Sequence, residues 1–509
     1  MEYFSNNFYT KAFWINIMKI VVVGGGTAGC LSALLFKKYF PSMDVTLVRS
    51  SAIGILGPGE GLTPGINRVL KELKIDVDEF VAETGATIKN GIKFINWNKD
   101  ETSWMHLFHG VTEDRQELFN NKDEIYDLYA TAVKSNRNID DINYFTHLSK
   151  NDMVNFEDRI NYAYHIDSRR FVAFLEKTAE KRGIRVIDDL MEDVVQDNSG
   201  YISQIILKEN GSLDCDFVID CTGFRRLIIG KHYNIKWISM KEYLPATSAI
   251  ACTLPQDNKY GPYTEARAMN YGWSWKIPLQ HRYGCGYVYD NKYINAELAE
   301  KELKELFGNE LEVVGKFEFD PGFFEKVWVN NCLAVGLSYS FFEPLEATAI
   351  ATVITLMLNF LNTAFTKYVG DKNTTERERL NNHFTGLSRG IAAFLHWHYI
   401  TNKTNTDFWK DFRKNAKSPD WPGHDFDKFL SDVQNNLLDK NNYQMPGWFE
   451  SSWMASYAAK GFYINQDEVD KQAIEEYNKN IVKAKDESIK RGLSHQEFLQ
   501  KNKTTKEKI

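Results

Sequence analysis

The chain has 509 residues, of which 43% are hydrophobic and 14% aromatic, with a net charge of -7. This length and apolar content support a large packed core with aromatic-lined cavities. The acidic balance argues against nucleic-acid and anionic-membrane partners, because both need a concentrated basic surface. Small molecules and other proteins remain as partners, and the oligomeric state, a homo-oligomer included, stays open.

The six cysteines lie far apart in the sequence, without the short spacings of metal ligands. They indicate reduced core residues of a cytoplasmic protein, and no metal site is predicted. No apolar stretch approaches the length of a membrane span. Residues 1–17 contain no cleavage-type small-residue site, so we interpret them as an N-terminal extension rather than a secretion signal.

A dinucleotide-binding motif opens the predicted fold. A β-branched strand over residues 19–23 ends in a glycine run, and apolar residues at helical spacing follow. The glycines fit Gly-x-Gly-x-x-Gly, in which the missing side chains let the backbone turn and approach a pyrophosphate at the helix N-terminus. The predicted cofactor-binding residues of this turn are Gly24, Gly26, Thr27, Ala28 and Gly29.

The second strand, over residues 45–48, ends differently from most dinucleotide sites. The position that usually holds an acid for a ribose hydroxyl is Arg49. An arginine there could bind a 2′-phosphate and so favour NADP. We predict FAD instead, with Ser50 or Ser51 on the ribose, because the later motifs are those of flavoproteins.

A glycine-rich loop over residues 54–64 follows the second strand. Its glycines and prolines are typical of a loop, and its position is where a strap over the cofactor would lie. A plain surface turn is the alternative interpretation. If the loop is a strap, Glu60 and Gly61 contact the cofactor.

Two lysines fall on the next predicted strand, over residues 88–97. Lys89 and Lys93 share one side of it, because side chains alternate along a strand. Alternation by itself leaves open which lysine is buried. The polar region 98–165, with a helix-like piece at 117–135, is interpreted as an insertion.

The middle of the chain is predicted to extend the cofactor sheet and then to form a second, mixed sheet over residues 243–319. Trp273 and Trp275 lie in this second part and point to one side, where they can wall a chamber. The strand that closes on Asp-Cys-Thr-Gly is typical of flavin-binding sheets. That strand covers residues 217–221, and the elements before it are a helix over 170–181 and strands over 185–188 and 204–208.

The last third begins with a buried strand over residues 327–337, which leads into a Glu-Pro-Leu-Glu block. An apolar helix over 350–365 follows, and residues 373–480 have a mostly helical pattern. The tail from about residue 487 is charged and expected to fray. The predicted division is an N-terminal extension 1–17, a FAD-binding module with the chamber sheet 18–372, a helical lobe 373–485 and a charged tail 486–509.

Four stretches together resemble the flavin-dependent tryptophan halogenase family, and the resemblance spans residues 18–410. Trp-x-Trp-x-Ile-Pro and Glu-Pro-Leu-Glu occur with the glycine fingerprint in the expected order. The resemblance implies an α/β protein with the three-layer FAD-binding fold of flavin monooxygenases, mixed sheets and a helical C-terminal lobe. The four stretches are residues 24–29, 89–97, 273–278 and 331–350.

The resemblance also implies a chemistry. FAD, delivered reduced as FADH2 by a separate reductase, and O2 oxidise a halide ion to hypohalous acid, which crosses a tunnel to a lysine beside the aromatic substrate. That lysine is Lys89, whose ammonium can polarise hypohalous acid or whose amine can form a haloamine, with burial tuning the two states. Glu346 orients the oxidant and accepts the ring proton that electrophilic substitution releases.

Other site residues follow from the same resemblance. The backbone N–H groups of Thr348 and Ala349 bind the halide at a helix start. Trp273 and Trp275 keep the substrate from the flavin, which suppresses ordinary monooxygenation. The remaining positions are Val194, Gly336, Leu337 and Ile350 for the flavin, and His106, Phe108, Trp448 and Trp453 for the substrate chamber.

The chain departs from the family pattern at two places. Ala347 and Ala349 stand where the family commonly has Ser and Gly, and Ala349 adds a methyl group and restricts the backbone at the halide site. We therefore expect a preference for bromide or iodide. Residues 443–457 lack the paired tyrosines and acid that clamp free tryptophan, which favours an indole, a phenol or another electron-rich aromatic as substrate.

Two other functions are weighed against halogenation. A FAD-dependent aromatic monooxygenase or oxidoreductase would use the same cofactor, but Lys89 and the tryptophan pair oppose it. A flavin-binding interaction protein with a degenerate site is suggested by Arg49 and Ala349. It is opposed by the presence of both Lys89 and Glu346.

Overall fold

The computed structural model describes most of the chain between residues 18 and 417 and short pieces after it. The predicted helix at 117–135 and residues 1–17 and 443–457 lie outside the described residues. The described residues are 18–55, 57, 59–98, 101–108, 144–154, 162–257, 259–372, 374–417, 420–421, 424–425, 471–472, 474–476, 478–480, 482 and 493–495.

The described chain is built from strands and helices. The strands are β1 Lys19–Val23, β2 Asp44–Arg49, β3 Glu60–Gly61, β4 Thr87–Lys89, β5 Gly91–Ile95, β6 Ser103–Leu107, β7 Met153–Val154, β8 Ala163–Ile166, β9 Arg185–Asp188, β10 Met191–Gln196, β11 Ile202–Leu207, β12 Gly211–Asp214, β13 Phe217–Asp220, β14 Trp237–Ser239, β15 Ser248–Pro255, β16 Tyr263–Met269, β17 Gly272–Pro278, β18 Arg282–Tyr289, β19 Glu312–Glu318, β20 Gly322–Phe324, β21 Trp328–Val329, β22 Cys332–Ala334, β23 Ser340–Phe341, β24 Asp420–Trp421, β25 His424–Asp425 and β26 Leu493–Ser494. The helices are α1 Thr27–Tyr39, α2 Gly65–Glu72, α3 Val77–Thr84, α4 Tyr144–Lys150, α5 Ser168–Lys181, α6 Ala296–Phe307, α7 Thr348–Asn359, α8 Phe365–Gly370, α9 Glu376–Tyr399 and α10 Asp407–Asn415.

The first large sheet has six strands in the order β21, β22, β13, β1, β2 and β9. Its strands run parallel except for β21, which pairs antiparallel with β22. Parallel strands buried on both faces are continuously apolar, as the run Ile20, Val21 and Val22 is. Their carboxyl ends meet at one edge, which brings the glycine turn after β1 beside the Asp-Cys-Thr-Gly turn after β13.

The second large sheet has seven strands in the order β19, β15, β18, β17, β16, β5 and β6. Only β16 and β5 pair in parallel, so this sheet is mixed, as predicted. Strand β17 carries Trp273 and Trp275 at its centre. Helix α6 was not predicted, because the whole region was assigned to strands.

The predicted single strand over residues 88–97 is wrong. The chain breaks at Asn90, so that β4 joins a three-stranded sheet with β8 and β3 while β5 joins the seven-stranded sheet. The Asn90 N–H donates to the carbonyl oxygen of Pro262 and its side-chain amide donates to Ser149. These bonds hold the break, and the two lysines consequently belong to different sheets.

Other boundaries also differ from the predictions. The predicted strand 327–337 is two short strands, β21 and β22, joined by a tight turn in which Asn330 has a positive φ. The predicted helix 350–365 begins earlier, at Thr348, and runs through a π-helical turn to Gly370. This helix is long and apolar enough to cross a bilayer by length and composition, so the prediction that no stretch reaches that length is wrong. Since 67% of its most apolar window is buried inside the protein, it resembles the core helix of a globular fold.

The C-terminal region is partly helical, as predicted, with α9 and α10. Within the predicted charged tail, the described residues 493–495 depart from the expected fraying, because β26 pairs antiparallel with β7 and His495 is buried. The predicted α/β class with mixed sheets and a helical C-terminal region is confirmed.

Candidate active site

The glycine turn between β1 and α1 has the shape that a dinucleotide requires. Gly24 has a φ of +122°, and a Cβ there would lie 2.0 Å from the carbonyl oxygen of Cys221. A Cβ on Gly29 would lie 1.7 Å from the carbonyl oxygen of Gly24, whereas a Cβ on Gly26 would meet nothing within 4 Å. Gly26 thus faces open space at a helix N-terminus that no described side chain caps. Free N–H groups beside an open, side-chain-free turn fit a pyrophosphate, and hence a flavin dinucleotide.

The turn over Gly336–Ser338 lies against the same corner of the fold. Gly336 has a φ of +66°, and a Cβ there would lie 2.8 Å from the Cβ of Ala28 and 3.5 Å from Val353. Val353 belongs to α7, so this turn connects the glycine corner with the helix that carries the predicted halide positions. The predicted flavin residues on these adjoining elements are Thr27, Ala28, Gly336, Leu337 and Ile350.

Arg49, the departure at the end of β2, is held by two carboxylates. Its Nε lies 2.6 Å from Glu176 and its Nη1 lies 3.1 Å from Asp188. The other oxygen of Asp188 accepts the N–H of Ser51 across 2.8 Å. Two acids beside the guanidinium disfavour an additional 2′-phosphate partner, and Ser50 lies half-buried directly after the strand.

Two predicted cofactor residues contact other parts of the fold. Val194 lies in β10 and packs in the core with Val48 and Ile187. Gly61 pairs with His165 through β3 and β8, and a Cβ on Gly61 would lie 2.7 Å from the Nζ of Lys89. The absence of a side chain at Gly61 therefore leaves room for the lysine head group.

Lys89 is the buried lysine of the pair, at 1% exposure, while Lys93 is half-buried. Its Nζ lies 5.3 Å from the centroid of the Phe108 ring. Burial lowers the pKa of Lys89 to about 8, and the charge of Glu346 opposes that shift. The two predicted catalytic residues therefore lie within electrostatic reach of each other.

Glu346 lies between two histidines. The Nδ1 of His106 lies 3.0 and 3.1 Å from its two oxygens, and the Nε2 of His398 lies 2.8 Å from Oε1. Burial raises the pKa of Glu346, but the charges and hydrogen bonds of the two histidines outweigh it and bring the pKa down to about 2. Glu346 is therefore ionised and held in place at neutral pH.

A backbone contact orients the second histidine. The Nδ1 of His398 contacts the carbonyl oxygen of Phe394 at 2.7 Å, and because a carbonyl only accepts, this nitrogen carries a hydrogen. The contact turns the other ring nitrogen, Nε2, towards Oε1 of Glu346 at 2.8 Å.

A second buried carboxylate, Glu343, was not predicted. Its Oε2 accepts the indole N–H of Trp273 across 3.3 Å and the hydroxyl of Tyr399 across 2.5 Å. Burial raises the pKa of Glu343 to about 7, and the two donors partly offset this shift. The rings of Trp273 and Trp275 lie 6.1 Å apart and are tilted by 57°, and both side chains are buried.

The predicted halide residues lie at the start of α7. Ala347 precedes the helix with a φ of +55°, a left-handed conformation that is unfavourable for alanine, and Thr348 is the first helical residue. Ala349 lies inside the helix with a negative φ. The expected backbone restriction at Ala349 is therefore wrong, since the strained alanine is Ala347, and only the added methyl group of Ala349 remains.

Sequence reasoning missed the residues that hold the predicted pair. His398 lies in the run His-Trp-His-Tyr at the end of α9. Two histidines in so apolar a helix end were the sequence signal that could have indicated a buried polar site. His165 bonds the hydroxyl groups of Thr87 and Thr264 beneath β4. Burial and the charge of Lys89 hold the pKa of His165 well below its usual value. Trp448 and Trp453 lie outside the described residues.

A model of the tryptophan halogenase family matches residues 19–476, and the chain belongs to that family. It is therefore a flavin-dependent halogenase, an enzyme class whose known members are reductase-dependent. The predicted family and enzyme class are confirmed.

Individual relatives agree with this assignment. Tryptophan 6-halogenase SttH of Streptomyces toxytricini is 31% identical over 432 residues, which cover 78% of this chain and 81% of that protein. Its crystal structure superposes with a TM-score of 0.83 at 28% identity, covering 95% of this chain and 99% of that one. Tryptophan 7-halogenase RebH of Lentzea aerocolonigenes is 31% identical over 429 residues, covering 77% and 78%. Xcc4156, a flavin-dependent halogenase from Xanthomonas campestris, superposes with a TM-score of 0.82 at 26% identity, covering 96% and 98%.

Proposed function

We propose that this enzyme uses FAD and hypohalous acid bound at Lys89 to halogenate a free, electron-rich aromatic compound of the indole or phenol class. The observation that carries the proposal is the burial of Lys89 beside Phe108 under the electrostatic influence of Glu346. Burying an ammonium group costs free energy unless the group is paired, and lysines buried in this way are enriched at functional sites.

The glycine corner and the turn over Gly336–Ser338 would hold the cofactor, with Ser50, Glu60 and Val194 as further predicted contacts. When bound in reduced form, FAD with O2 supplies the oxidising power that converts a halide ion to hypohalous acid. The chain's own groups then act on that acid. The open face of Gly26 supports the placement of the pyrophosphate.

Lys89 and Glu346 divide the proton transfers of the halogenation step. The aromatic carbon bonds to the halogen as the oxygen–halogen bond breaks, and the Lys89 ammonium protonates the departing hydroxide to give water. The ring proton passes to Glu346, and its transfer from there to the Lys89 amine restores both groups. A haloamine on Lys89 is the alternative carrier, and the pKa of about 8 keeps both forms of the amine accessible.

The halide ion would bind at the N–H groups of Thr348 and Ala349, where the positive end of a helix favours an anion. The Ala349 methyl group makes this site less polar than a glycine would. A less polar site favours bromide or iodide, which are more weakly hydrated than chloride. A competition assay between chloride and bromide checks this preference. Equal consumption of the two halides would contradict it.

The substrate assignment depends on the sequence of residues 443–457 and on the chamber positions His106, Phe108, Trp448 and Trp453. SttH and RebH are named for action on tryptophan, whereas this segment lacks the paired tyrosines and acid expected for a tryptophan clamp. We further propose a cytoplasmic enzyme with a separate flavin reductase. Six cysteines without a disulfide support that compartment.

The test combines the purified protein with a flavin reductase, NADH, FAD, bromide or chloride, and a panel of indoles, phenols and tryptophan. The expected result is a mass shift with the isotope pattern of the halogen on an indole or phenol. Hydroxylated product without any halogenated product would replace this proposal with the aromatic monooxygenase. Product from tryptophan alone would overturn the substrate class.

A further inference from the structure

The described C-terminal piece, residues 493–495, is attached to the body of the protein by main-chain bonds. Strand β26 pairs antiparallel with β7, and the N–H of His495 donates to the carbonyl oxygen of Asp152 across 3.1 Å. The His495 side chain is 1% exposed, and its ring lies edge-on to Tyr260 at 5.3 Å. A polar ring buried to this extent has a specific partner in almost every protein.

That partner is the strand that carries Lys89. The Nε2 of His495 accepts the backbone N–H of Ile88 across 3.0 Å, between residues 407 positions apart. Strand β4 pairs on one side with β8, and it is the edge strand of its sheet among the described residues. The imidazole therefore takes the place that a further strand would take on the free edge of β4.

The other bonds along β4 show how the lysine is held. The hydroxyl of Thr87 donates to the carbonyl oxygen of Pro278 and contacts His165, and the N–H of Asn90 donates to Pro262. The bond from Ile88 to His495 is the constraint directly before Lys89. Burial lowers the pKa of His495 to about 3, so the ring is neutral and its Nε2 lone pair is available at neutral pH.

We propose that residues 493–495 form a C-terminal clip and that His495 is a positioning residue, which holds the Lys89 ammonium at the reacting centre by fixing the free edge of β4. His495 lies after residue 476, where the match to the family model ends. The catalytic half of the inference rests on the function proposed for Lys89. The structural half, the clip on β4, stands independently of it.

The experiment compares three variants of the full-length protein. His495→Leu fills the site without an acceptor, and His495→Gln places an amide oxygen near the former Nε2. His383→Leu is the matched control, because His383 lies on α9 and its ring packs against Phe384. Each protein is first checked for wild-type FAD binding and cooperative thermal unfolding.

The first measurement is hydrogen exchange of the peptide that contains residues 87–90, which needs no activity. In His495→Leu we expect exchange at the Ile88 amide to rise at least about tenfold, because a buried N–H without an acceptor is costly. His495→Gln and His383→Leu should keep the wild-type rate. Unchanged exchange in His495→Leu would overturn the clip.

The second measurement follows halogenated product together with free hypohalous acid, which a β-diketone traps. We expect His495→Leu to lose product at least about tenfold in kcat with little change in KM, because a reacting group displaced by about 1 Å can cost about 100-fold. Trapped hypohalous acid should rise correspondingly, and His495→Gln should recover most of the product. Equal losses of halogenated product in His495→Leu and His495→Gln, or no loss in His495→Leu, would overturn the positioning role. If the wild-type enzyme itself made no halogenated product, the proposed function would fail, while hydrogen exchange would still decide the clip.

Discussion

Trp273 donates its indole N–H to the Oε2 of Glu343 across 3.3 Å, joining residues 70 positions apart. One end of this bond lies on strand β17, in the tryptophan pair. The other lies three residues before Glu346, in the turn that begins α7. The tryptophan motif and the Glu-Pro-Leu-Glu block are thus parts of one buried unit.

This bond leads to a prediction for stability. Burial raises the pKa of Glu343 from 4.5 to about 7, so the unfolded chain loses this proton at a lower pH than the folded protein does. The stability of the fold therefore falls as pH rises from about 4.5 to 7, by up to about 3 kcal/mol from this group. Glu343→Gln should reduce the difference in unfolding free energy between pH 5 and pH 8 by a comparable amount, measured by urea denaturation. An unchanged difference would show that Glu343 is ionised in the folded state.

Lys89→Met keeps the length and burial of the side chain but removes the amine. We expect halogenated product to fall at least about 100-fold, because both proposed ways of carrying the halogen need this nitrogen. Reductase-driven NADH consumption and trapped hypohalous acid should continue. Lys93→Met, on the neighbouring strand, is the control. Normal product formation by Lys89→Met would show that Lys89 does not carry the halogen.

The pH dependence of product formation distinguishes the two carriers. With a pKa of about 8, Lys89 holds roughly ten ammonium forms for each amine at pH 7. If the ammonium polarises hypohalous acid, the rate should fall as pH rises through about 8, measured with hypohalous acid supplied directly so that the flavin does not contribute. A rate that rose through the same interval would favour the haloamine.

Glu346→Gln preserves the shape of the side chain and removes its charge. We expect product formation to fall between about 100-fold and 1,000-fold, as for the loss of a positioned proton acceptor. The pKa of Lys89 should also fall, because the negative charge that opposes its desolvation is gone. Glu376→Gln is the matched control, since Glu376 pairs with Lys367 and Arg379 at the start of α9. Equal halogenation activity in Glu346→Gln and Glu376→Gln would show that Glu346 takes no part in the reaction.

Two glycine substitutions separate cofactor binding from folding. Gly26→Ala adds a methyl group in open space, so we expect an unchanged melting temperature with FAD affinity weakened at least about tenfold. Gly24→Ala forces a Cβ against the carbonyl of Cys221 at a positive φ and should destabilise the fold by more than about 1 kcal/mol. Flavin fluorescence and thermal unfolding measure both effects. Wild-type FAD affinity in Gly26→Ala would place the pyrophosphate elsewhere.

Local features of the fold were predictable from the sequence because their causes lie within a few residues. The glycine run at Gly24 to Gly29 determines a strand, a turn and a helix by itself. The strand 185–188 was predicted with its observed bounds. The strand predicted over 88–97 failed because its break at Asn90 depends on partners 59 to 172 positions away, Ser149 and Pro262, rather than on local propensity.

The sequence by itself determined the family, the glycine turn proposed for the cofactor and the candidates Lys89 and Glu346, since these are carried by contiguous motifs. Only the tertiary structure decided which lysine is buried, and only it placed His106, His398 and Glu343 around the same turn. The reason is physical: burial and hydrogen-bond partners set the charge state of each group, and those partners come from distant chain segments, as His106 and Glu346 do at 240 positions apart. Short sequence motifs therefore carry the candidate catalytic residues, whereas the packing of distant segments sets their protonation states.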